Sequence, residues 1–285
     1  MKKNILVTGG AGFIGSHLCE QLVLKGGYEV TSLDNYSSGS VNNHVKGVEY
    51  IKGSTEDIRK LFGDRKFDCV VHLGEYSRVE QSFNDFQLVW NTNKLGTFEV
   101  LKFCKDNNSK LVYAGSSTKF SDGDFGRYQS PYAWAKSSNT ELIKAYSTWY
   151  GLNYAITYFY NAYGPREILD GNYATLIGIF SKQFKNKTPL TVVSPGTQKR
   201  NFTHVLDIVA GLILVVENGQ GDEFGIGADE SYSVLTVARM FGGEIEMLPE
   251  RKGNRLDGDL LTSKIKKMGW VQKFKLKNYI NSLID

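Results

Sequence analysis

Short apolar blocks recur through the first 160 positions, each followed by a longer stretch with helix-like spacing. The blocks Asn4–Thr8, Tyr28–Leu33, Val48–Ile51, Cys69–Leu73, Lys110–Ala114 and Tyr154–Phe159 are rich in Val, Ile and Leu, which predicts buried strands. Between them, Ile14–Lys25, Thr55–Phe62, Val79–Asn107 and Pro131–Tyr150 predict helices. Strands apolar on both faces, alternating with helices, predict an α/β fold: a Rossmann-type doubly wound parallel sheet. Ligand-binding turns then fall at the carboxyl edge of that sheet. After Gly164-Pro165 the pattern changes. Helices over Ala174–Lys185, His204–Asn218 and Val234–Phe241 mix with short extended pieces and the Gly219–Gly221 turn. This predicts a first domain over residues 1–164 and a smaller mixed α/β domain over 165–285. The segment near 222–226 is a candidate strand returning to the first sheet.

Composition narrows the class. Of 285 residues, 41% are apolar and 22% charged, with 16 Tyr, 16 Phe and 5 Pro, which fits a packed globular chain and excludes disorder. No run approaches the roughly 18 apolar residues that span a bilayer. Net charge is +4 and spread along the chain, which permits an anionic small ligand and gives no argument for nucleic acid. Lys2 and Lys3 precede the apolar Ile5–Val7, but Thr8, Gly9 and Gly10 break that run too soon for a secretory leader. Cys19, Cys69 and Cys104 lack metal or redox spacing; buried free thiols in a reducing cytoplasm are expected, and no metal.

The first predicted strand runs into Gly9-Gly10-Ala11-Gly12-Phe13-Ile14-Gly15. Glycine at 9 or 10 permits a sharp turn, at 12 a close approach to a pyrophosphate, and at 15 close packing of helix on strand. The helix amino terminus offers free N–H groups to the phosphates. Asp34 ends the second predicted strand, where a carboxylate can accept from the ribose hydroxyls of NAD and would repel the extra phosphate of NADP. A mere turn cap is the alternative for Asp34. On the predicted helix beginning at Pro131, Tyr132 and Lys136 are one turn apart and can face the same cleft. An ammonium and a cationic nicotinamide both favour a phenolate, which fits Tyr132 as a base toward an alcohol losing hydride. By its spacing alone, such a pair is more often a lysine lying over an aromatic ring.

Taken together, TGGAGFIGSHL, LDNYSSG, DCVVHLGE, NTNKLGT, LVYAGSSTKF, SPYAWAKSSNTE, YFYNAYGPR, KRNFTHVLDIV and PERKGN give the chain a plain resemblance, over essentially its whole length. It resembles the extended short-chain dehydrogenase/reductases of the NAD-dependent nucleotide-sugar epimerase/dehydratase family. The resemblance implies NAD binding by the first domain and nucleotide-sugar binding by the second. It implies cofactor contacts at Gly9, Gly12, Phe13, Ile14, Gly15, Asp34, Asn35, Ser54, Thr55, Leu73, Gly74, Glu75, Asn93, Ala114, Tyr132, Lys136 and Phe159. Asn93 is expected near the pyrophosphate and Phe159 beside the nicotinamide. Ser116, Tyr132 and Lys136 are the implied catalytic set. Ser116, Ser117, Thr118, Asn161, Arg200 and Arg251 are the implied substrate contacts, the last three for its diphosphate, which suits the planar fork of arginine.

Some positions depart from the family pattern. Ser54 and Thr55 stand where an Asp-Ile pair is usual, Gly74 and Glu75 where two small residues are usual, and Val193 and Ser194 near the nucleobase pocket. A carboxylate at 75 beside a nicotinamide needs a partner, so Glu75 is expected to pair with Arg78 or to touch the sugar. Dehydratases and decarboxylases of the family carry an acid just after the catalytic Ser or Thr; here Ser117 and Thr118 follow Ser116. This leaves epimerisation at C4 through a 4-keto intermediate as the expected reaction. Net oxidation or reduction at C4 is the alternative, and a non-catalytic dinucleotide sensor the contrasting class. Phe83, Phe86, Val89, Trp90, Leu142 and Trp149 lie on helices that pair between subunits in related enzymes, implying a homodimer; packing against the sheet is the alternative.

Overall fold

The computed structural model describes residues 2–117, 123–250 and 260–284. Strand β1 (Lys3–Thr8) leads through the glycine turn into α1 (Phe13–Lys25), and β2 (Tyr28–Asp34) returns parallel to β1. The alternation continues through β3 (Val48–Lys52), α2 (Ile58–Phe62), β4 (Cys69–His72), α3 (Phe86–Val89), α4 (Thr97–Asn107), β5 (Lys110–Ser116), α5 (Pro131–Tyr150) and β6 (Tyr154–Phe159). There follow β7 (Ala162–Tyr163), α6 (Leu176–Lys185), β8 (Leu190–Val193), β9 (Lys199–Asn201), β10 (Thr203–His204) and α7 (Val205–Asn218). The described chain ends with β11 (Gly221–Ile226), β12 (Ser231–Ser233), α8 (Val234–Phe241), β13 (Ile245–Leu248), α9 (Ser263–Lys267) and α10 (Leu276–Ile284).

Seven strands form one parallel sheet in the order β11-β6-β5-β4-β1-β2-β3, a doubly wound Rossmann-type arrangement. The expected returning strand is β11, which pairs with β6. Both faces are covered, which explains the unbroken apolar runs. Ile5 and Val7 of β1 and Val112 of β5 pack with α1 and α7 on one side. Leu6, Leu111 and Tyr113 point the other way and pack with α4 and α5. Each such side chain contributes about 1.5–3 kcal/mol by leaving water. A third core, including Phe180, Val192 and Phe241, joins α6, β8 and α8. Cys19, Cys69 and Cys104 are buried and free, as expected.

The expected single helix Val79–Asn107 is broken. A 3-10 turn at Gln81–Phe83 precedes α3, and a π turn over Trp90–Gly96 joins α3 to α4. The wider turn swings Asn93 inward onto the backbone of Tyr76, while a Cβ on Gly96 would collide with the hydroxyl of Thr55. Apolar periodicity does not register one inserted residue. Helix α5 keeps its expected bounds because Ser130 caps it, accepting from the Ala133 amide at 3.1 Å, with Pro131 in the first turn.

Strand order reverses between β4 and β1, and a crevice opens there at their carboxyl ends.

Candidate active site

The crevice has a volume of about 240 Å³. Its floor is the glycine turn. Gly9 has φ +74°, and a Cβ there would lie 3.0 Å from the backbone of Gly74 on the neighbouring loop. At Gly15 a Cβ would overlap the carbonyl oxygen of Gly9, so only glycine lets α1 approach the strand. Helix α1 has no acidic residue in its first turn and no side-chain cap, so its leading amides are free to meet an anion.

Gly9, Gly12, Phe13, Ile14 and Gly15 line the cleft from the turn, Asp34 and Asn35 from the end of β2, and Ser54 and Thr55 from beyond β3. Leu73, Gly74 and Glu75 follow β4, Ala114 lies on β5, Tyr132 and Lys136 on α5, and Phe159 at the end of β6. Asp34 is 6% exposed and accepts from the amides of Ala11 at 2.9 Å and Tyr36 at 2.8 Å. It therefore braces the glycine turn, as a turn cap would, and also faces the cleft. A backbone floor, an acidic edge and an apolar Phe159 wall suit the phosphates, ribose and nicotinamide of a dinucleotide.

Asn93 is placed differently from expectation. It is fully buried, away from the cleft wall, and its amide accepts from Tyr76 N at 2.7 Å and donates to Tyr76 O at 2.9 Å. It shapes the loop after β4. Ser116 ends β5 directly after the cleft-lining Gly115 and is 8% exposed; Ser117 is half-buried. Neither Asn161 nor Arg200 lines the enclosed cleft: Asn161 donates to the carbonyl of Asn201 at 3.3 Å, and Arg200 precedes Asn201 on β9. Thr118 and Arg251 lie outside the described residues.

For Glu75 the expected pairing with Arg78 is corrected. Arg78 is not its partner; the carboxylate, 1% exposed, pairs with the Lys136 ammonium. Lys136 also donates to Ala114 O at 2.7 Å. Three further donors reach Glu75: Thr97 Oγ1 at 2.8 Å, Tyr113 Oη at 3.1 Å and Asn139 Nδ2 at 3.1 Å. With the Thr97 hydroxyl donating, its oxygen accepts from His72 Nε2 at 3.0 Å, and His72 Nδ1 accepts from Thr8 Oγ1 at 2.7 Å. That assignment makes His72 neutral, and burial holds its imidazole down at about 4. Burial, and next the charge of Glu75, push the Tyr113 phenol well above its usual range. A satisfied buried chain thus runs from the glycine turn to Lys136.

Arg78 donates to the carbonyl of Tyr173, and its guanidinium lies 5.6 Å over that ring. His72, Thr97, Tyr113 and Asn139 carried no sequence signal strong enough to single them out, apart from Asn139 standing three positions after Lys136 on one helix face. No metal-holding cluster occurs among the described residues, and no described helix is long and apolar enough to cross a membrane.

A profile of the NAD dependent epimerase/dehydratase family matches residues 5–227. The chain is 29% identical to a putative UDP-glucose 4-epimerase of Methanocaldococcus jannaschii, over 99% of this chain and 97% of that protein. It is 32% identical to the UDP-N-acetyl-alpha-D-glucosaminuronate decarboxylase of Bacillus cytotoxicus, over 84% of this chain and 79% of that one. Among solved structures, the UDP-glucose 4-epimerase of Thermotoga maritima with UDP-glucose superposes with TM-score 0.91 at 27% identity, covering 99% and 97% of the two chains. The Thermus thermophilus UDP-glucose 4-epimerase with NAD gives TM-score 0.87 at 27% identity, covering 99% and 98%.

Proposed function

The chain belongs to the NAD dependent epimerase/dehydratase family, and from that premise we propose that it is a nucleotide-sugar epimerase inverting C4 through a 4-keto intermediate. One observation carries this: Tyr132 and Lys136 face the same cleft as the glycine turn, Asp34 and Phe159. NAD, when bound, supplies the hydride acceptor and donor. Residues 1–164 hold it and residues 165–285 hold the nucleotide sugar.

Tyr132 removes the proton of the sugar 4-hydroxyl, with Ser116 bridging, and returns a proton to the carbonyl oxygen in the second half of the reaction. Lys136, fixed by Glu75 and Ala114 O, keeps one N–H for the nicotinamide ribose. Asn161, Arg200 and Arg251 hold the diphosphate while the ketone turns over. The chain's main contribution is orientation of one carbon against the cofactor. Ser117, a hydroxyl where dehydratases and decarboxylases carry an acid, supports epimerisation over either. Net redox at C4 uses the same residues and differs only in product.

The proposed assembly is a homodimer. Phe83, Phe86, Trp90 and Trp149 are 50%, 49%, 38% and 62% exposed, whereas Val89 and Leu142 pack inward. A second copy would cover these rings.

Incubation with a panel of nucleotide sugars, followed by the anomeric NMR signals, tests the reaction. Appearance of an epimer without net NADH change is expected. Tyr132→Phe should lower kcat by at least about 100-fold with NAD content unchanged; undiminished turnover would remove Tyr132 as the base.

A further inference from the structure

Two charged side chains leave the loop after β4, and they meet different fates. Glu75 is paired with Lys136, so together they bring no net charge to the cleft. Asp34 lies at the opposite end, held by the Ala11 and Tyr36 amides. Arg78 also lines the cleft. One of its nitrogens donates to the Tyr173 carbonyl and its guanidinium lies over the Tyr173 ring, but among the described residues no carboxylate pairs with it. Its Nε is buried without a partner. Tyr173 belongs to the same cluster as Tyr76 and Tyr132, which puts this cation beside the proposed base.

A guanidinium drawn out of water and left without an anion is unfavourable in the empty protein. It is a favourable site once a carboxylate docks, because the planar fork offers paired N–H donors. The position selects the anion. Next to the carbon handled by Tyr132, C6 is the position where a carboxylate can stand directly on the ring carbons, closer in than a carboxylate on an ether at C3, whereas a diphosphate would be held further out at Asn161 and Arg200.

We propose that Arg78 receives a carboxylate carried by the reacting sugar, so that the substrate class is a nucleoside diphosphate uronate. This deepens, and rests on, the nucleotide-sugar reading above. Arg78 acts on specificity, and its bond to the Tyr173 carbonyl and its contact with that ring keep the guanidinium aimed before substrate arrives.

The test uses NAD-loaded protein carrying Tyr132→Phe, so that nothing turns over, titrated calorimetrically with UDP-glucuronate, UDP-glucose and UDP. UDP-glucuronate should bind at least about tenfold tighter than UDP-glucose, a difference of one ordinary charge-assisted pair. Arg78→Met should erase that difference while leaving UDP affinity unchanged and the unfolding midpoint no lower; Arg78→Lys should keep part of it. Equal affinity for the two sugars overturns this inference and leaves the nucleotide-sugar reading intact. Weakening of UDP by Arg78→Met would mean a diphosphate contact, and also overturns it. Binding of none of the three removes both. With Tyr132 present, Arg78→Met should lower kcat/KM for the uronate alone; equal losses with both sugars would mean that Arg78 serves the phenol and not the substrate.

Discussion

Replacing Glu75 by glutamine tests the buried network most directly. The carboxylate accepts from Lys136, Thr97, Tyr113 and Asn139, and it is 1% exposed. Glutamine retains one oxygen, which can still accept from the hydroxyls or from Asn139. Its amide N–H₂, however, turns toward an ammonium that is itself 6% exposed. Among the described residues, Lys136 is then left with Ala114 O as its acceptor in this pocket. Removing one member of a buried ion pair costs about 3–5 kcal/mol. Because the neutral bonds survive in Glu75→Gln, the lower figure applies, a loss of about 3 kcal/mol, or roughly 6 °C in midpoint for a chain this size. The assay is urea unfolding of NAD-free protein near neutral pH for four proteins: parent, Glu75→Gln, Lys136→Met and the double variant. Removing both charges leaves no buried charge unpaired, so the double variant should regain most of the loss. The argument fails if Glu75→Gln stays within about 0.5 kcal/mol of the parent, a change ordinary for surface substitutions. It fails equally if the double variant is no more stable than Glu75→Gln.

Glu167, near the cleft mouth, accepts from the Thr175 hydroxyl, and burial pushes its carboxyl up from 4.5 to about 7. A raised folded value means the native state holds the proton more tightly; this stabilisation is complete below pH 4.5 and is lost as pH rises through 7. Glu167→Gln should remove that dependence, gaining on the order of 2–3 kcal/mol over the parent at pH 8 and little at pH 5. Parallel urea midpoints for the two proteins across that range would contradict it. Gly15→Ala places a methyl group against the Gly9 carbonyl oxygen, so α1 must move off the strand. NAD retained through purification should fall by at least about tenfold, a loss of about 1.4 kcal/mol in binding, read by the absorbance of released cofactor.

Local pattern carried much of this protein. The sheet was legible because strands covered on both faces must be apolar throughout, as Ile5-Leu6-Val7 is, and the bounds of α5 because Ser130 and Pro131 act within one turn. The glycine turn and the Tyr132–Lys136 pair were legible for a related reason: their geometry depends on spacings of three and four residues, which helices and tight turns convert directly into space. The π turn that buries Asn93 escaped, because one extra residue alters helical phase without altering composition. The partner of Glu75 escaped more thoroughly. Arg78 is three positions away in sequence and Lys136 lies 61 away, yet the carboxylate meets Lys136 because β4 and α5 bring their ends to one crevice. Arg78 in turn finds Tyr173 across 95 positions. Sequence determined which charges were present and that one needed a partner. Only the docking of helix on sheet decided which pair is neutralised and which cation is left facing the cleft, since desolvation and contact depend on distances that no local periodicity encodes.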